Sequence, residues 1–143
     1  MAEIVLNTES TTLVLNGTPI NDMVNGDVIV MTPTNPLTSR VNGTNDSVAI
    51  AKRSDAGVTS MVIRVFRFSD SDVFMNSIRN SAEPVVINGS LKSNFKRNGI
   101  DGTESYILES GSVTTQPTDT KSDTEGNALM EYTVEFRNAR RNI

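Results

Sequence analysis

The sequence predicts a mainly β fold, an antiparallel sandwich or barrel with one flanking α-helix. Three features carry this expectation. Glycine follows Asn or Asp at regular intervals, at Asn16-Gly17, Asn25-Gly26, Asn42-Gly43, Asn88-Gly89, Asn98-Gly99 and Asp101-Gly102, and such dipeptides favour turns because both residues tolerate positive φ. The segments between them are short and apolar, either alternating with period two or continuous. Only one stretch joins a helix cap to a helical spacing of apolar residues. At 143 residues the chain is expected to form a single domain, 1–143, with one core.

In chain order, Thr11 to Leu15 reads as a short β-branched strand. Gly26 to Thr32 places Val28 and Val30 on one face and Ile29 and Met31 on the other, as a strand buried on both sides would. Thr32 to Asp46 holds Pro33, Pro36 and few large apolar residues, and is expected to be a long polar loop (32–46). Ser47 to Arg53, the turn Ser54-Asp55-Ala56-Gly57 and the strongly apolar Val58 to Phe68 together predict a hairpin. A helix then starts: Ser69 can cap the free N–H groups, Asp70 and Asp72 favour the positive end of the dipole, and Val73, Phe74, Ser77 and Ile78 give one stripe. Pro84 ends it, because the residue before a proline avoids the helical region. Pro84 to Arg97 and Thr103 to Thr115 are expected to pair across Asn98 to Gly102. A second polar loop, 116–127, precedes the clearest strand, in which Met130, Tyr132, Val134 and Phe136 line one face and Glu131, Thr133, Glu135 and Arg137 the other.

Composition removes much chemistry. There is no Cys and no His, so thiol nucleophiles, zinc–thiolate sites and the commonest general base are all missing. No Trp and only two Tyr leave no stacking platform. A net charge of −4 suits a phosphate-gripping protein poorly. Ser, Thr and Asn together fill 46 positions, about a third of the chain. No apolar run approaches the roughly 20 residues that span a bilayer, so insertion in a membrane is not expected. Nor does Met1-Ala2-Glu3 resemble the start of a secretory signal.

Individual acidic groups fare no better as sites. Asp70 and Asp72 are accounted for by the helix start. Glu131 and Glu135 lie roughly 13 Å apart along a strand at ~3.3 Å per residue, too far for a shared proton or a glycosidase pair. The loop Asp119 to Gly126 has oxygen ligands but not the calcium-loop spacing, and Lys121 sits among them. No catalytic residue, metal ligand or cofactor is therefore expected. What remains is a surface property. Met61, Ile63 and Val65 alternate with Val62, Phe66 and Phe68, so neither face of that strand is made for water. Long strands with apolar edges invite edge-to-edge pairing, and closing several copies into a ring removes the edges.

The order of segments resembles the tail tube proteins of long-tailed bacteriophages, contractile-tailed ones among them, and of related injection machines. The resemblance runs through "AKRSDAGVTSMVIRVF", "SDSDVFMNSI", "PVVINGSL", "TESYILESGSVTTQP" and "TDTKSDTEGNALMEYTVEF". The chain departs from the pattern at Gln116-Pro117, with one proline where relatives often have two, and at Tyr132, where a Trp is usual. The resemblance implies a structural, non-enzymatic subunit of the virion tail, assembled in the host bacterial cytoplasm as hexameric rings. The rings stack into a tube whose lumen passes the tape-measure protein and then DNA without binding either. Sheath, baseplate and terminator proteins are the other partners it implies, and a β-sandwich module of a baseplate, spike or adhesin is the alternative. Inter-subunit contacts are expected at Leu37, Arg40 and Val41 and at Arg137, Arg140 and Arg141. Lumen residues are expected at Asn88, Ser90, Lys92 and Asn94 and at Ser110, Ser112 and Thr114.

Overall fold

A computed structural model describes residues 2–6, 11–23, 29–119 and 129–143. Among them are strands β1 (Ile4–Leu6), β2 (Thr12–Leu15), β3 (Thr18–Ile20), β4 (Ile29–Pro33), β5 (Thr38–Asn42), β6 (Val48–Lys52) and β7 (Thr59–Phe66). Helix α1 (Asp70–Arg79) follows, then β8 (Ile87–Arg97), β9 (Ile100–Thr115) and β10 (Leu129–Asn142). The fold is mainly β, as the sequence predicts.

All sheet pairings among the described residues are antiparallel. The main sheet runs β3-β2-β8-β9-β10-β7-β4, with β1 beside the far end of β8, and β5 and β6 form a separate two-stranded ribbon. Two turns of this sheet follow their sequence signatures. Asn16 and Gly17 (φ 49° and 78°) join β2 to β3, and Asn98 and Gly99 (φ 50° and 79°) join β8 to β9. Two central residues at positive φ match the right-handed twist of the flanking strands, hence Asn-Gly.

One hydrophobic cluster holds the fold together. It joins Leu13, Leu15 and Ile20 from one end of the sheet to Met61, Ile63 and Val65 from the other, with Ile87, Leu91, Leu108, Met130, Tyr132, Val134 and Phe136 between and Met75 from α1. Residues from both ends share one core because the chain after β3 crosses over to β7. The Phe66 N–H donates to Asp22 O at 2.8 Å, Met23 bridges Val65, and the Asn21 N–H donates to Ser71 Oγ at 2.9 Å. Two glycines make room for aromatic rings across strands. A Cβ on Gly111 would stand 2.5 Å from the Phe136 ring and one on Gly102 2.5 Å from the Phe95 ring, and each glycine is paired in register with that aromatic.

Several expectations are corrected. Ser47 to Arg53 does not pair with Val58 to Phe68: β6 pairs with β5, while β7 lies between β10 and β4. The edges of β7 are taken by longer or more apolar partners, including Val30 opposite Val62 and Ile29 opposite Ile63. The loop expected at 32–46 therefore contains the end of β4 and all of β5. The β4 strand is not buried on both sides; Ile29 and Met31 pack on the core but Val30 is exposed, as befits an edge strand that ends in Pro33. The 26–28 part of that expectation lies outside the described residues. Asn88-Gly89 and Asp101-Gly102 are not turns but lie within β8 and β9. In α1 the Ser69 cap is as predicted, accepting from the Asp72 N–H, and Phe74 and Ile78 of the expected stripe pack on the core, but Val73 and Ser77 face out and the buried residues are Ser71, Asp72 and Met75. Of the second loop, 116–119 has no regular structure and 120–127 lies outside the described residues.

Candidate assembly surfaces

The β5–β6 ribbon is the first surface. Every residue of both strands is exposed, including Val41 (69%), Val48 and Ile50 (62%), with Leu37 (68%) just before β5. An isolated hairpin with no core behind it is marginal in water. Its base is clamped by Arg53, whose guanidinium donates to both oxygens of Asp55 at 3.0 and 2.9 Å. That hydrogen bond, more than any other influence, lowers the Asp55 carboxyl pKa below its ordinary value. Of the predicted contact residues, Leu37, Arg40 and Val41 all sit on this arm. The sequence missed Val48 and Ile50, whose exposure follows from the unexpected pairing of β6.

The second surface is the outer side of β8 and β9. Ser90 is half-buried, Lys92 and Asn94 are exposed, and they stand opposite Ile107, Ser105 and Thr103 respectively. Lys92 forms no ion pair among the described residues, whereas Lys96 lies 3.7 Å from Asp101. Asn88 differs from its neighbours. Its Oδ1 accepts the Ser110 N–H at 2.9 Å and its own N–H donates to Asn16 Oδ1 at 2.9 Å. Ser110 has φ 52°, and the β8–β9 register slips between Ile87 and Gly89, so Asn88 stabilises a β-bulge. Ser112 and Thr114 lie beyond that bulge, with Ser112 opposite Glu135 of β10 rather than opposite β8. The predicted wall residues thus split into two groups joined only where Asn88 meets Ser110.

The C-terminal arginines divide similarly. Arg140 is exposed; Arg137 donates to Ser54 O at 3.1 Å; Arg141 is engaged within the chain, its Nε donating to Glu104 Oε2 at 2.7 Å, which raises its pKa further. The two aspartates of the helix start also part company. Asp70 is exposed, while Asp72 is buried, accepting the Tyr132 hydroxyl at 2.6 Å and the Phe68 N–H at 2.9 Å. Burial first, then the Asp72 hydrogen bond and charge, push the Tyr132 phenol well above its ordinary value. Asp119 pairs with Arg67, and the rest of the 119–126 loop lies outside the described residues.

Two further features were not anticipated. Phe68 is 81% exposed at φ 68°, a conformation that bulky residues rarely hold. It is fixed there by the Asp72 bond to its N–H and by Ser69 Oγ donating to Phe66 O at 2.7 Å. A groove of about 390 Å³ opens between β1 and the far ends of β8 to β10, with Ile4, Leu6, Phe95 and Ile143 in its walls.

Comparison with solved structures places this architecture. A chain of the PVC sheath–tube complex in its extended state, from an extracellular contractile injection system, superposes with a TM-score of 0.61 at 8% identity, over 96% of this chain and 90% of that one. The fold is shared with a component of a contractile injection machine. A chain of the anti-feeding prophage (AFP) baseplate gives 0.45 at 11% identity over 92% and 90% of the two chains. No protein-family profile matches the sequence, and no curated protein matches it.

Proposed function

We propose that this chain is the structural subunit of the tube of a contractile injection machine or phage tail. Copies close into hexameric rings, and the rings stack around a channel that passes a tape-measure protein and DNA. The observation that carries the reading is the end-to-end correspondence of fold with a chain of a sheath–tube complex, covering nearly all of both chains. The surface supports it: a ribbon with apolar side chains on show has nothing to cover it within the described subunit, and the terminal strands β3 and β4 of the main sheet have no strand on their outer edges among the described residues. The role is non-catalytic. A wall rich in Ser, Thr and Asn on a net acidic chain offers passing phosphates few cations to replace their condensed counterions. Leu37 and Val41 on the arm, with Arg40, are assigned to contacts with a neighbouring copy, and so is the exposed Arg140. Electron microscopy of the purified protein, with sedimentation over a wide concentration range, tests the reading. Rings or rods are expected; a monomer at millimolar concentration overturns it.

A further inference from the structure

We propose that Phe68 of one copy inserts into the β1-side groove of the next, a knob-in-hole contact that joins copies head to tail. The inference deepens the tube reading and rests on it for the existence of stacked copies.

The two features lie at opposite ends of the molecule. Phe66, two residues before the knob, pairs with Leu129 at the start of β10. The groove wall includes Arg141, twelve positions further along the same strand. At ~3.3 Å per residue these points are roughly 40 Å apart. A knob at one end and its receptor at the other make a heterologous contact, which propagates as an open stack instead of closing a dimer.

Shape and polarity agree. Phe68 is largely exposed, its ring contacted by the Arg67 guanidinium 5.4 Å from the centroid, and its backbone is held by Asp72 and Ser69, so little backbone freedom is left to lose on docking. The groove is walled by Ile4, Leu6, Phe95 and Ile143, and its 390 Å³ exceeds the roughly 150 Å³ that holds a benzene-sized ligand. Charge agrees as well. Asp70, exposed beside the knob, and Arg97, exposed in the groove wall, each lack an ion-pair partner among the described residues. Docking brings an unpaired acid to an unpaired base at the rim of an apolar contact. The second copy is favoured as occupant because the same chain supplies both complementary halves.

The absence of native cysteine makes the test clean. Single variants Asp70→Cys and Arg97→Cys, at the rim of the contact so that the Phe68 ring and the apolar walls stay intact, are mixed in equal amounts under the conditions of assembly and oxidised. The unlike pair is expected to dominate over both like pairs, and the double variant to give a ladder of multimers, since its two positions are too distant to join within one chain. Separately, Phe68→Ala should weaken association roughly ten- to hundredfold, the worth of one buried aromatic side chain, with melting temperature unchanged. Asp70→Arg and Arg97→Asp should each weaken it, and the two together restore it. Rods that form while unlike pairs do not dominate overturn the knob-in-hole contact alone. Protein that stays monomeric throughout overturns both it and the tube reading.

Discussion

Tyr132 illustrates how much depends on one atom. Its ring is fully buried in the core, and its hydroxyl is held 2.6 Å from the carboxylate of Asp72, which is itself buried at the helix start. Tyr132→Phe keeps the packing but leaves Asp72 with one hydrogen bond fewer, and a buried carboxylate deprived of a partner costs about 1–3 kcal/mol, readable by urea unfolding. The pH dependence has a definite sign. Because the folded-state pKa lies above the value near 10 of the unfolded chain, the stabilisation is fully present below pH ~10 and is lost as pH rises beyond it, where only the unfolded state releases the proton. The alkaline decline in stability should be shallower in Tyr132→Phe; parallel declines would remove Tyr132 as its source. Gly111 is the second sensitive point. An added methyl would meet the Phe136 ring at 2.5 Å, so Gly111→Ala should destabilise by about 1–3 kcal/mol through overpacking; an unchanged unfolding midpoint would contradict that placement.

Among the elements, the β5–β6 ribbon separates folding from assembly. Its apolar residues touch no core, so replacing Leu37, Val41 and Ile50 together by Ser should shift subunit stability by no more than about 0.5 kcal/mol per site. The same variant is expected to lose rods. In hydrogen exchange the ribbon amides should be poorly protected in the free subunit and protected in the assembled one; equal protection in both states would mean that the arm is not an interface. The ribbon also shows where sequence reasoning stops. Strand β10 was legible because Met130, Tyr132, Val134 and Phe136 alternate without a break, and α1 because Ser69, Asp70 and Asp72 announce its start. The partner of β6 was not, because Val48 to Lys52 alternates as well as any buried strand and pairing is decided by which apolar edges compete for β7. Asn88-Gly89 misled for a related reason: the dipeptide that makes a tight turn also suits a bulge, and only the neighbouring strand chooses. Phe68 continues the period of Val62 and Phe66, which extends the strand too far, and its turn into solvent follows from a backbone bond to Asp72 that no spacing reveals.

For the whole molecule, the tube reading proposes that the polar side of β8 and β9 faces the channel. Asn88 is unsuited to probe it, because its side chain holds the bulge at Ser110. Ser90, Ser112 and Thr114 suit it better: none is fully buried, and none of the described hydrogen bonds depends on its side chain. Ser90→Arg, Ser112→Arg and Thr114→Arg combined should leave the subunit folded and able to form rods. If the face lines the lumen, each ring gains several cations around the channel, and DNA should be retained with an affinity that falls steeply as salt rises, each phosphate contact adding to the slope. Topology of the DNA then separates inside from outside. A linear duplex has ends that can thread a tube, whereas a covalently closed circle has none and reaches only the exterior. Retention of linear but not circular DNA by variant rods, with neither retained by the parent, is the expected result. Equal retention of both forms would place the face on the outside. Folded subunits that no longer assemble would instead mean that it packs against a neighbour, where unpaired arginine is too costly to bury.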